Sequence, residues 1–80
     1  MSAYIATFFT HYDAMQFKRH LDGIGVDGVM SPVPRWLSSS CGTCVRFSMD
    51  EERVSELPTD DLERLVLTEG EKHRNIVDNS

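Results

Sequence analysis

The sequence predicts a ferredoxin-like α+β sandwich, a small antiparallel sheet with two helices on one face. Two observations indicate this class. The predicted elements follow the order strand, helix, strand, strand, helix, with a last short strand left open. The chain has 80 residues, a length that builds one hydrophobic core rather than two. We therefore expect a single domain over residues 1–70, followed by a polar tail or a short edge strand over 71–80.

The first strand and the first helix have the clearest patterns. Tyr4 to Phe9, YIATFF, is rich in β-branched and aromatic residues, and its continuous apolarity predicts a central strand buried on both faces. Thr10 is a candidate N-cap, with Asp13 three residues later in a capping-box spacing. The helix runs to about Asp22. Its apolar stripe consists of Ala14, Phe17, Leu21 and Ile24.

Two further strands flank a long loop. Val26 to Val33 is a weaker strand, since Gly28 and Pro32 favour an edge position or a bulge. Cys44 to Met49 alternates between apolar and polar residues, as a half-buried strand does. The loop between them, Pro34 to Thr43, is long for a hairpin in so small a domain, which favours a functional role.

The last third of the chain predicts a second helix. Asp50 to Leu57 begins a short helical turn that Pro58 interrupts. Thr59 or Asp60 then restarts a helix, with acidic residues in its first turn, and Gly70 ends it. The inner face of this helix consists of Leu62, Leu65 and Val66.

Composition and charge argue against several classes of partner. Thirteen acidic and eight basic residues give a net charge of −5, and the basic residues form no run, so neither nucleic acid nor an anionic membrane is an expected partner. The longest apolar runs are too short to cross a bilayer, and the N-terminus does not resemble a secretory signal. We expect a cytoplasmic protein without a resident metal or cofactor.

Both cysteines of the chain lie in one short stretch, SSSCGTC at 38–44. Cys41 stands outside any apolar pattern, so we expect a partly exposed, nucleophilic thiol. Arg35 would favour the thiolate if the loop folds back. Gly42 lets successive amides point at one anion. Hydroxyl donors to the same place are Ser38, Ser39 and Ser40. The pattern predicts an anion-binding pocket around Cys41; the alternative is a loop cysteine without function.

The other candidates in this region leave alternatives open. Cys44 lies where the loop becomes a strand, and it is either a second catalytic thiol that resolves a persulfide by exchange or a small strand residue. Trp36 either contacts a partner protein or packs over the small core. Zinc needs four ligands, so two cysteines would need histidines or a second subunit, and a metal-bridged homodimer stays open.

Four short segments form a pattern that resembles a family. They are YIATF at 4–8, PVPR at 32–35, SSSCG at 38–42 and VRF at 45–47. Together they resemble the small bacterial and archaeal proteins described as selenium/sulfur carrier-like, a domain of unknown function. The resemblance covers about residues 3–50 and departs from the family pattern at Pro58. It implies that the motif cysteine is Cys41, followed by Gly42, with Pro34 and Arg35 as the Pro-Arg pair.

Two hypotheses of function follow from different classes. In the first, the protein is a carrier rather than a self-contained enzyme: Cys41 accepts sulfane sulfur or selenium as a persulfide or selenopersulfide and passes it from a donor to an acceptor protein, and Cys44 releases it by forming a disulfide. In the second, the protein is a small thiol–disulfide redox module that uses Cys41 and Cys44. A non-catalytic interaction domain or a metal-bridged dimer is the third alternative.

Overall fold

The fold is a five-stranded antiparallel sheet with both helices on one face. The computed structural model describes residues 1–37 and 39–79. The elements in chain order are β1 (Ser2–Phe8), α1 (His11–Gly23), β2 (Gly28–Pro32), β3 (Thr43–Met49), α2 (Glu51–Val54), β4 (Leu62–Glu69) and β5 (Lys72–Asp78). The strands are ordered β2-β3-β1-β4-β5. The first four strands have the ferredoxin-like arrangement, with β5 added outside β4, so the predicted fold class is confirmed.

The helix side of the sheet carries the main core. β1 lies in the middle of the sheet and is buried from Tyr4 to Phe8, as its continuous apolar sequence predicts. α1 begins at the expected cap, where the Thr10 hydroxyl accepts a hydrogen bond from the Asp13 backbone N–H at 3.1 Å. The buried residues of α1 that pack against this face of the sheet are Ala14, Phe17 and Leu21.

The opposite face is covered in part by the β2–β3 loop (residues 33–42). Leu37 is buried there in a small cluster with three residues of the sheet, which are Ile5, Cys44 and Val66. The base of the loop is closed by a hydrogen bond from the Val33 N–H to the Gly42 carbonyl at 3.2 Å. The described part of the long loop predicted from the sequence therefore packs on the sheet through Leu37.

The predicted second helix over the segment that ends at Gly70 is wrong. Only Glu51–Val54 is helical, and Leu62–Glu69 forms the strand β4 between β1 and β5. The apolar residues of this run are close enough to helical spacing to be misread, since periodicity does not separate a short buried strand from a buried helix. Gly70, with φ of 63°, belongs to the turn into β5 rather than to a helix cap. The residues expected as a tail or an edge strand include β5, Lys72–Asp78, which pairs with β4.

Candidate functional site

Cys41 lies at the end of the sheet where β1 finishes and β3 starts. Its side chain is half-buried and packs against the helix-side core. The Sγ atom lies 3.4 Å from the Thr43 carbonyl oxygen, to which the thiol donates, and 3.9 Å from Ser39 Oγ. α1 begins at this same end, because it directly follows β1. Cys41 is a free thiol, so this end of the molecule presents one partly accessible sulfur.

The serines before Cys41 anchor the loop. The Ser39 hydroxyl donates to the Phe8 carbonyl at 3.1 Å. Ser40 donates its backbone N–H to Glu63 Oε1 at 3.2 Å and its hydroxyl to Glu63 Oε2 at 2.6 Å. The Ser40 donors predicted to face a sulfur anion are therefore used by a carboxylate, whereas Ser39 Oγ remains near the sulfur. Ser38 lies outside the described residues.

Glu63 is the residue of this region that sequence reasoning missed. It is only 6% exposed and sits at the start of β4, next to an irregularity in the pairing with β1 between Thr7 and Phe8. A buried carboxylate requires hydrogen-bond donors, and Ser40 supplies two of them. The available signal was an acidic residue inside the apolar run LERLVL at 62–67, which becomes unusual only once that run is assigned to a buried strand.

Gly42 and Arg35 were both predicted to surround Cys41, and the structure places them differently. Gly42 has φ of 72°, the left-handed region that glycine adopts without strain. Within residues 1–37 and 39–79, no hydrogen bond is found for the backbone N–H groups of Cys41 and Gly42. Arg35 is exposed and makes no ion pair or side-chain hydrogen bond with any described residue. Gly42 therefore has the backbone conformation expected next to Cys41, whereas the described residues show no contact between Arg35 and the sulfur.

Cys44 lies on the other face of the sheet. It is fully buried in the cluster beneath Leu37, whereas Cys41 packs against the helix-side core. The Cys44 Sγ atom lies 3.7 Å from the Pro32 carbonyl oxygen and 3.5 Å from Ser31 Oγ. Both cysteines are free. The two thiols predicted to act together are thus placed in different environments.

Trp36 is half-exposed, at 49%, and contacts the added edge strand. Its indole stacks on the His73 imidazole of β5, with ring centroids 3.7 Å apart and an angle of 11° between the rings. The two rings border a shallow groove of about 220 Å³ that also includes Arg64 and Asn75. Trp36 therefore joins the β2–β3 loop to β5 while about half of its side chain stays exposed.

Among residues 1–37 and 39–79, no three side chains of the types His, Cys, Asp and Glu come together as metal ligands do. No helix in the described part of the chain has the length and apolarity to cross a membrane.

The fold and the site define a small α+β domain with a partly exposed free thiol, Cys41, in the loop between β2 and β3. The family model described as "Putative Se/S carrier protein-like" matches residues 3–66. The chain belongs to this family, which confirms the family that the sequence resembles. Membership of a carrier family implies that the chain works with partner proteins. No curated protein matches the chain, and no solved structure matches it.

Proposed function

We propose that this protein carries sulfane sulfur or selenium on Cys41, as a persulfide or selenopersulfide, between a donor and an acceptor protein. The observation that carries the proposal is a half-buried free thiol in an anchored loop, beside two backbone N–H groups that have no acceptor among the described residues. Membership of a carrier family supports the same function.

Loading requires only thiol exchange. The Cys41 thiolate attacks the outer sulfur of a persulfide on the donor protein, a new S–S bond forms on Cys41, and the donor cysteine leaves as a thiolate. The sulfane sulfur changes carrier without net oxidation or reduction. The product is an anion, which hydrogen bonds from the N–H groups of Cys41 and Gly42 would stabilise. The exposed guanidinium of Arg35 is on the same loop and free to approach the anion.

The surroundings of Cys41 suit a carrier better than an enzyme that acts alone. The anchors of the loop, Ser39 on β1 and Ser40 on Glu63, hold the thiol in place without supplying a general acid or base to a substrate. The half-exposed Trp36 lies on the same loop, and exposed tryptophans are frequent anchors of protein interfaces. We propose that Trp36 contacts the donor or the acceptor.

Mass spectrometry under non-reducing conditions tests the proposal. Protein exposed to a small persulfide donor should gain the mass of one sulfur on the peptide that contains Cys41, and a thiol reductant should remove it. The gain should vanish in Cys41→Ser and persist in the matched variant Cys44→Ser. A gain that survives Cys41→Ser, or no gain in the unmodified protein, would refute the proposal.

The remaining hypotheses give different results in the same preparations. On mild oxidation a redox module would lose two hydrogen atoms, with the two electrons taken by the added oxidant, and join Cys41 to Cys44 without any gain of sulfur. A metal-bridged dimer would contain stoichiometric metal and would dissociate on chelation.

A further inference from the structure

Cys44 has the polar surroundings that the sequence predicted for Cys41. Its Cα is paired with Ser31 on β2 and with Thr7 on β1, so a hydroxyl residue flanks the cysteine on each side of the same sheet face. Arg46 Nε donates to Ser31 Oγ at 3.0 Å, and Ser31 Oγ lies 3.5 Å from Cys44 Sγ. Because the arginine occupies a lone pair of the hydroxyl oxygen, the Ser31 proton can point to the sulfur.

Thr7 provides an independent observation. Its side chain is fully buried, and Thr7 Oγ1 has no hydrogen-bond partner among the described residues. A buried hydroxyl without a partner is destabilising and uncommon. Directly opposed residues of neighbouring strands have Cβ atoms about 5 Å apart, so this hydroxyl is beside Cys44. A sulfur anion at Cys44 would give it the acceptor that it lacks.

The β2–β3 loop covers this thiol. Leu37 is buried against Cys44, and its N–H donates to the Pro34 carbonyl at 3.0 Å. The neighbouring residue Trp36 stacks on His73. Leu37 and the Trp36–His73 stack therefore hold the first half of the loop over Cys44.

We propose that Cys44 is the resolving thiol of the carrier and that residues 33–37 are a lid over it; the proposal rests on the proposed function of Cys41. When the lid opens and Ser39 and Ser40 leave their anchors on Phe8 and Glu63, Cys41 can move round the end of the sheet to the face that carries Cys44, and Cys44 attacks Cys41 Sγ of the loaded persulfide. The bond between Cys41 Sγ and the outer sulfur breaks, a Cys41–Cys44 disulfide forms, and the outer sulfur leaves as hydrosulfide with the bonding electrons and the Cys44 proton. The two cysteine sulfurs are oxidised and the sulfane sulfur is reduced. A thiol reductant then restores both cysteines.

Alkylation of Cys44 tests the lid without any sulfur loading. In a Cys41→Ser background, the rate of Cys44 modification by iodoacetamide is measured on the folded protein by peptide mass spectrometry. Leu37→Ala should raise this rate at least about tenfold. The matched control is Leu57→Ala, which truncates a leucine of similar burial, 5% against 7% exposed, on the helix side. Equal acceleration by both variants would mean that Cys44 reacts only through global unfolding, which overturns the lid.

Arg46→Gln tests the hydrogen-bond chain to the sulfur. In the Cys41→Ser, Leu37→Ala background it should slow Cys44 alkylation at neutral pH about tenfold, the effect of one hydrogen bond to a charged group. Arg19→Gln, which removes an exposed arginine of α1, should have no effect. An unchanged rate in Arg46→Gln would overturn the assigned role of Ser31 and Arg46.

Release of hydrosulfide separates this proposal from the function of Cys41. Loaded wild-type protein should release hydrosulfide and form the disulfide, and loaded Cys44→Ser should retain its sulfur at least tenfold longer. Equal release from both would overturn the resolving role while leaving the carrier intact. Failure of Cys41 to load would overturn the proposed function, and with it the resolving role, whatever the alkylation rates show.

Discussion

Glu63→Gln tests whether one carboxylate holds the cysteine loop in place. Glu63 is 6% exposed, and its two oxygens accept hydrogen bonds from Ser40 at 3.2 and 2.6 Å. Glutamine has one acceptor oxygen, so it keeps at most one of these bonds as acceptor, and its NH₂ group replaces the other only by a neutral hydrogen bond donated to the Ser40 hydroxyl oxygen. A hydrogen bond to a charged group contributes about 1.5–3 kcal/mol. Removing a buried charge recovers part of its desolvation cost, so we expect a loss near the lower limit, about 1.5 kcal/mol.

Urea unfolding followed by circular dichroism measures this loss directly. In a thermal scan, each kcal/mol corresponds to a fall in Tm of roughly 4–8 °C for a domain of this size. Glu71→Gln is the matched control, because it removes the same charge from an exposed turn between β4 and β5. Its free energy of unfolding should change by less than about 0.5 kcal/mol.

A double-mutant cycle with Ser40→Ala shows whether the effect comes from this pair. Contacting residues couple by about 0.5–3 kcal/mol, so the double variant should lose less stability than the two single variants together. Additive losses, or a loss from Glu63→Gln no larger than that of the control, would refute the assignment of Glu63 as the anchor. Cys41 alkylation in a Cys44→Ser background should also change in Glu63→Gln, since the loop is released next to the thiol.

Three further predictions concern backbone, ionisation and the aromatic stack. Gly42→Ala should cost about 1–2 kcal/mol of unfolding free energy, because φ is 72° although space for a Cβ is open; Gly23→Ala, which also meets open space, is the control and should not destabilise. Burial raises the pKa of Tyr4, so the folded state holds this proton more tightly than the unfolded chain. The stability that this raised pKa contributes is complete below about pH 10 and is lost as the pH rises through the folded pKa. As the pH rises above about 10, the urea midpoint of Tyr4→Phe should therefore fall less than that of the unmodified protein. His73→Ala should shift the emission of Trp36, the single tryptophan, to longer wavelength, and an unchanged spectrum would contradict the stack.

Local signals predicted part of the fold well. The start of α1 was predictable because Thr10 caps Asp13 only three residues away, and β1 because a continuous apolar run fits a central strand. β4 was not predictable in this way, because whether this run forms a strand depends on its pairing with β1. That pairing exists only in the assembled sheet. A run such as Leu62–Glu69 supports either structure until its neighbours are known.

The candidate site divides in the same way. Cys41 and Gly42 are recognisable in a short motif, because a thiol beside a flexible glycine is a local property. Glu63 is 23 residues from Ser40 along the chain, and no local pattern connects them. The sequence predicted that the Arg35 guanidinium would lie near the thiol of Cys41. In the structure it is Arg46 that is linked to a cysteine, because Arg46 bonds to Ser31 and Ser31 contacts Cys44. This arrangement depends on the register of β2 with β3, which no local pattern reveals.

The Cys-x-x-Cys spacing has an unusual consequence when its second cysteine enters a strand. Successive side chains of a strand point to opposite faces. Because Val45 faces the helix-side core, Cys44 must face the other side, while Cys41 still packs against the helix side. Spacing that would bring two thiols together at a helix start here places them in the clusters on opposite sides of the sheet. For a carrier this separation is useful, since a persulfide on Cys41 is not discharged by the neighbouring cysteine until the loop moves. In the proposed mechanism, the order of loading and release is set by the opening of the loop rather than by the reactivities of the two thiols.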